Sequence, residues 1–225
     1  MLASYIARMS TPPRVLAVCR GTVRDLESTE GPWRSAIHKE PATGSIRIGT
    51  RGVEGDCCAD TRHHGSPDQA VLVYPSAHYE AWREALPGID PMKFVPGGFG
   101  ENLSVEHLDE ESVRIGDRFT LGSVELEVTM PRVPCFKLNR KFGSDELLDR
   151  VRATGRTGFY ARVLAEGTIE TPAELQWSPR TDHDWTAARV HRAFHQGVDP
   201  GELESLSAID ALGEMLKSWI ATRAV

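Results

Sequence analysis

A chain of 225 residues, 40% of them hydrophobic, is long enough for one large domain or one domain with a small appendage. No apolar run approaches the ~18–20 residues that cross a bilayer, so a helical membrane protein is excluded. The formal net charge of −6 argues against broad nucleic-acid binding but leaves room for a local basic pocket.

Residues 1–13 lack a basic leader followed by a long apolar core, and are expected to be a disordered extension ending at Pro12-Pro13, with Met9 as an alternative start. The four cysteines, Cys19, Cys57, Cys58 and Cys135, are too sparse for a secreted disulfide scaffold, and vicinal neighbours such as Cys57 and Cys58 do not easily reach disulfide geometry. A reducing, cytoplasmic location is the simplest reading.

From Arg14 to about Leu175 many short β-like runs alternate with turn residues. They begin with Val15 to Cys19, Ser35 to Ile37 and Ile46 to Ile48. Ala70 to Val73 has the length and β-branching of a buried strand. It feeds a helix with Ser76 as candidate cap, Tyr79, Trp82 and Leu86 on one face, and Pro87-Gly88 as its stop. Beyond Gly97 to Gly100 come Asn102 to Val105, Arg114 to Phe119 and the clearest strand pattern, Val124 to Val128, where apolar and acidic residues alternate. A helix over Asp145 to Val151 is expected, with Ser144 as cap and Gly155 beyond its end, before strands at Tyr160 to Leu164 and Gly167 to Ile169. Short strands in this number, with few helices between them, predict an antiparallel barrel or sandwich. After a linker near Ser178 to Asp184, Leu206, Ile209, Leu212, Leu216 and Ile220 recur at helical spacing, which predicts a small helical unit over residues 186–225.

Three stretches bear chemistry. In Pro131-Arg132-Val133-Pro134-Cys135-Phe136-Lys137, a cysteine follows a strand with two cations close by. If the stretch is extended, Cys135 and Lys137 project to one side, and an ammonium beside a thiol favours the thiolate that ligates metals or attacks electrophiles. The competing reading is that Cys135 is a small buried hydrophobe. In the second stretch, Cys57-Cys58 and His63-His64 raise the question of zinc, but vicinal pairs lack the usual gap between ligands. The alternatives are a ligand-approaching glycine loop with Arg62 and the histidines as donors, or a surface turn. In the third, Gly97-Gly98-Phe99-Gly100-Glu101-Asn102 enters a strand, so it is neither a P-loop nor a dinucleotide fingerprint, though its amides and Asn102 could line an anion or a heterocycle.

The combination of Gly52 to Asp56, His64-Gly65-Ser66-Pro67-Asp68-Gln69-Ala70, Tyr74-Pro75, Phe99 to Ser104 and Pro131 to Leu138 resembles the MOSC domain, and most of all its YiiM-like branch. The resemblance runs from about Val15 to Trp177 and continues into the C-terminal helices at Leu216-Lys217-Ser218-Trp219. It implies a mainly β (α+β) fold: a MOSC-type β-barrel over residues 14–178, with a three-helix unit over residues 186–225. It also implies binding of the molybdenum cofactor (molybdopterin), with Cys135 as protein ligand to the metal and catalytic centre. Arg132, Lys137, Asn102, Gly100, Glu101, Arg62 and His64 are the expected cofactor-binding residues. The activity implied is reduction of small N-hydroxylated substrates such as hydroxylaminopurine-type bases. With no cysteine quartet or dinucleotide fingerprint in the chain, electrons would come from an external reductase. The runner-up is a carrier that holds the cofactor, or delivers sulfur through Cys135, without turnover. A third reading is a barrel that has lost its cofactor. Two departures stand out: Ser66 replaces the second glycine of an expected His-Gly-Gly, and the Cys57-Cys58 pair has no family role. No nucleic-acid or membrane partner is expected. A segment of about 40 residues is too small for a core of its own, so the C-terminal helices are expected to dock on the barrel or on a second subunit of a homodimer.

Overall fold

The alternation over Val124 to Val128 builds the longest strand of the computed structural model, which describes residues 11–62, 64–178 and 182–223. Residues 1–10 of the expected extension and 179–181 of the expected linker lie outside the described residues. The elements in order are β1 (Arg14–Arg20), β2 (Arg24–Leu26), β3 (Trp33–Ser35), β4 (Glu40–Pro41), β5 (Ile46–Gly49), β6 (Gly52–Val53), β7 (Val71–Pro75), α1 (Ala77–Ala85), β8 (Leu103–Glu106), β9 (Arg118–Leu121) and β10 (Val124–Pro131). They continue with α2 (Lys137–Phe142), α3 (Leu147–Thr154), β11 (Phe159–Ala165), β12 (Gly167–Ile169), β13 (Ala173–Glu174), β14 (Gln176–Ser178), α4 (Ala187–Gln196), α5 (Pro200–Ser207) and α6 (Glu214–Ala221).

The main sheet runs β13-β1-β8-β7-β11-β10-β9-β14. Its two ends, β13 and β14, are separated in the chain only by Leu175, so a single short segment pairs with β1 at one end and β9 at the other. That curls the sheet round on itself and gives the mixed α+β, barrel-like fold expected. Pairing is antiparallel except between β7 and β8, which are parallel because α1 and the glycine loop carry the chain back between them.

Three local expectations need correction. β10 continues through Pro131, opposite Phe159 of β11, three residues beyond the Val124 to Val128 pattern expected from the sequence. Pairing with β9 stops at Glu127, so a missing amide near the end of β10 costs no bond on that side. Neither Ser76 nor Ser144 caps a helix by its side chain: α1 has no side-chain cap bond, and α3 starts later, after Glu146.

Two apolar clusters hold the chain together. The larger lies inside the curled sheet and joins Phe119, Val128 and Met130 to Val190, Leu203, Leu206, Leu212 and Leu216. The C-terminal helices therefore complete the core of the barrel instead of forming their own. Thr186 and Asp199 cap α4 and α5 through their side chains. His191 is buried with Nε2 2.8 Å from the Arg152 carbonyl, a packing role. The second cluster, Tyr74, Tyr79, Trp82, Phe94, Phe99, Leu138 and Phe142 among others, lies under α1 and α2. Leu138 and Phe142 anchor α2 there, which fixes the loop from Arg132 to Phe136 between the two cores. Among the described residues no helix is long and apolar enough to cross a membrane.

Candidate functional site

The loop leaving β10 opens onto a cleft of three adjoining chambers, all lined by His64 and Tyr160. The outer chamber, about 760 Å³, is bounded by Arg62, Gln69, Cys135, Phe136, Lys137 and the first turn of α6. An inner chamber of about 360 Å³ reaches Lys39, Arg51, Gly100 and Asn102. The smallest, about 110 Å³, lies between Arg132, Cys135, Lys137, Cys57 and Cys58.

Cys135 is half-buried and lines both the outer and the smallest chamber, so its sulfur is not sealed in an apolar core. The extended geometry expected for Val133 to Lys137 is not found. Lys137 begins α2, and it shares the two chambers with Cys135 by virtue of the turn that precedes the helix. Cys19 contrasts with Cys135. It is fully buried in β1, and burial, with the charge of Glu101 second, pushes its thiol up to about 12, so it is an inert core residue.

Arg132 is only 6% exposed, yet its buried Nη1 has no hydrogen-bond partner among the described residues. A buried guanidinium nitrogen left without an acceptor is costly, and Arg132 is also one of the residues lining the smallest chamber. An anionic group entering that chamber would meet the charge of this guanidinium. Lys39, Arg51, Arg62 and Lys137 add positive charge along the same cleft, against Asp56, Asp60 and Glu214. The cleft is therefore locally basic although the chain is acidic. A half-exposed soft sulfur beside an unsatisfied guanidinium fits a cofactor that carries both a thiophilic metal and a phosphate.

The glycine loop is placed differently from the expectation. Glu101 is fully buried, and its carboxylate accepts from Tyr79 Oη (2.5 Å), Gly97 N (2.6 Å) and Phe99 N (2.9 Å). It clamps the turn and offers nothing to a ligand. Gly97 needs its bare backbone, because at φ +85° a Cβ would run into the Lys39 carbonyl. Asn102 lines the inner chamber, but its Nδ2 donates to Asp56 Oδ2 (2.8 Å) and the Cys19 carbonyl (3.3 Å), and its Oδ1 accepts from Leu72 N (3.1 Å). Both donor hydrogens are spent on the protein, so the reading of a ring by this amide is corrected to a positioning role. It steadies Asp56, which in turn holds Lys39 at 2.6 Å. Lys141 ties this region together by donating to the Ile37 and Gly97 carbonyls at 2.9 and 2.8 Å. Burial lowers its pKa to about 8 against the pull of Glu101, and Arg132 adds to the lowering.

The histidine loop accommodates its unusual serine without strain. Gly65 takes the left-handed conformation at φ +80°, whereas Ser66 is extended at φ −65°, ψ 158°, a region open to any residue. His64, Arg62 and Gly100 reach the cleft as the motifs suggested. No group of three or more His, Cys, Asp or Glu side chains suited to a metal is found among the described residues. Sequence reasoning did not single out Tyr160, Lys39, Arg51, Glu214 or Met215 as site residues. Tyr160 follows the period-two pattern of β11 and was legible as a strand residue, while nothing local marks Lys39 or Arg51. The Tyr160 hydroxyl is kept protonated above its usual range, mainly by burial, with Arg132 opposing.

Residues 60–176 match the family model described as MOSC domain. Protein YiiM of Escherichia coli is 34% identical over 188 residues, covering 84% of this chain and 82% of that protein. The uncharacterized protein YflK of Bacillus subtilis is 38% identical over 209 residues, covering 92% and 91%. A Gibberella moniliformis protein named Reductase is 36% identical over 193 residues, covering 85% of this chain but only 34% of its own length. The crystal structure of YiiM from Geobacillus stearothermophilus superposes with a TM-score of 0.79 at 27% identity, over 95% of this chain and 100% of that one. YiiM from Escherichia coli gives 0.78 at 26%, over 95% and 93%.

Proposed function

Because this chain belongs to the MOSC-domain family, in its YiiM-like branch, we propose that it is a molybdenum-cofactor-dependent reductase of N-hydroxylated substrates such as hydroxylaminopurine-type bases. The reaction is R–NHOH + 2 e⁻ + 2 H⁺ → R–NH₂ + H₂O. The observation that carries this reading is the pairing of half-exposed Cys135 with the buried, unsatisfied guanidinium of Arg132 on one chamber. When bound, the cofactor would supply the two-electron redox centre for this reduction.

The protein's own groups do the rest. Cys135 supplies a soft thiolate ligand. Arg132 and Lys137, with Arg62, His64, Lys39 and Arg51 along the cleft, answer the charge of the phosphate. Gly100 lines the wall where the inner and smallest chambers adjoin. Tyr160, a neutral phenol on all three chambers, is placed to hold and donate a proton toward the departing oxygen. Electrons come from a separate donor protein, since the sequence carries no motif for a second redox group.

The test is molybdenum analysis together with turnover on a chemical reductant, for the wild type and Cys135→Ala purified from cells that make the cofactor. Wild type should hold molybdenum and reduce an N-hydroxylated base, and Cys135→Ala should lose turnover while remaining folded. A wild type that holds molybdenum without turning over is a carrier, and a variant that keeps most activity removes the thiolate from the reaction.

A further inference from the structure

We infer that Phe136 and the first two residues of α6, Glu214 and Met215, form a specificity wall that selects flat, hydrogen-bond-donating heterocycles over aliphatic N-hydroxylated compounds. The inference rests on reading the cleft as a reductase site and adds to it the residues that choose the substrate.

Few large apolar side chains stay in solvent on this protein, and two of them, Phe136 at 52% exposed and Met215 at 37%, line the same chamber. Phe136 follows Cys135 directly in the chain, and both line the outer chamber. Arg140 braces that ring, with its guanidinium carbon 5.0 Å from the centroid. Met215 arrives from a different part of the chain. Its position is fixed, because Gly213 N donates to the Thr129 carbonyl at 3.0 Å, Glu214 N donates to Asp68 Oδ2 at 2.8 Å, and Leu216 is fully buried in the barrel core. A wall held by backbone bonds at its base is preorganised, and preorganisation makes a contact selective. A thioether and an aromatic ring facing one cavity suit a ligand with a π face. Glu214 Oε1 accepts from Lys217 Nζ at 3.0 Å, which holds the carboxylate at the chamber rim. Its second oxygen is left to accept from ring or exocyclic N–H groups. The volume of about 760 Å³ lies in the range of small-molecule sites.

The experiment uses full-length, molybdenum-loaded protein and two substrates, an N-hydroxylated aminopurine and an aliphatic amidoxime. In Phe136→Ala and Met215→Ala, the ratio of kcat/KM for the purine over the amidoxime should fall about tenfold, carried by KM, as loss of base stacking implies. Phe136→Tyr and Met215→Leu should restore it. Glu214→Gln, which keeps one acceptor oxygen but removes the charge behind it, should lower the same ratio by a smaller factor. Independently of turnover, equilibrium dialysis should show affinity for the product aminopurine weakened about tenfold in the two alanine variants. An unchanged ratio in all three variants, or equal losses on both substrates, overturns the wall. If the wild type reduces neither compound, the reductase reading falls and dialysis still decides: unchanged aminopurine affinity in Phe136→Ala and Met215→Ala overturns the wall as well.

Discussion

Replacing Arg132 by methionine should have opposite effects on the empty and the loaded protein. In the empty protein the guanidinium is 6% exposed and its Nη1 is buried without an acceptor among the described residues. An unsatisfied buried donor costs about 1–3 kcal/mol, and a charged one more. Methionine has similar length, no donor and no charge, so the substitution removes that cost. It also relieves the repulsion that helps to lower the pKa of Lys141. Arg132→Met should therefore raise the stability of the molybdenum-free protein by about 1–3 kcal/mol, which for a chain of this size is roughly 2–12 °C in Tm. With cofactor present the same change deletes a charge-assisted bond to the phosphate, about 1.5–3 kcal/mol, and weakens retention roughly 10- to 150-fold. Differential scanning calorimetry on the empty protein and molybdenum analysis after dialysis read the two signs separately. A variant that is less stable when empty and keeps full occupancy when loaded would make Arg132 a structural cation and refute the reasoning.

Two further outcomes are expected. Lys141 has its folded pKa lowered to about 8 from an ordinary 10.5, so between those values the unfolded chain holds more protons and stability rises with pH. The contribution of Lys141 relative to Lys141→Met should grow by up to ~3 kcal/mol from pH 8 to 10.5; a pH-independent difference in urea midpoints across that window would show that the ammonium is not desolvated. The pairwise comparison is needed because Cys19, pushed up to about 12, works in the opposite direction above pH 9. Truncation after Ser178 should give an aggregating protein, since it strips Val190, Leu206, Leu212 and Leu216 from the core they share with Val128 and Met130; a soluble product with cooperative unfolding would show that the barrel stands alone.

Much of this was legible in the residues. The alternation in Val124 to Val128 located the central strand, and the cysteine between two cations located the cleft. What failed did so for identifiable reasons. Glu101 and Asn102 sit in a glycine-rich loop and look available, yet polar side chains in such loops are often recruited to satisfy backbone amides, and here both are. Cys135 and Lys137 were expected on one side of an extended stretch, whereas a turn and a helix start bring both to the same chambers. Lys39, Arg51 and Met215 depend on contacts between distant segments, which no local period encodes. The helical C-terminus was visible at 3.6 spacing, but the sequence could not say that its apolar face completes a core begun by strands.

The segment from Ala173 to Ser178 spans both ends of the main sheet. One end pairs with the start of β1, whose far end is covered by β4, and the other pairs with β9, so the same few residues join the two borders of the main sheet. Until they have been synthesised, a growing chain presents two lengths of unsatisfied ladder, the arrangement most prone to sticking to other chains. Because β1 lies at the start of the chain and β13 near residue 173, closure joins the most distant strands and demands a large loss of chain entropy before any reward. Ribosome-bound intermediates that stop short of Ala173 are thus the vulnerable form of this protein, and the same closure leaves the finished barrel with few places for another strand to add.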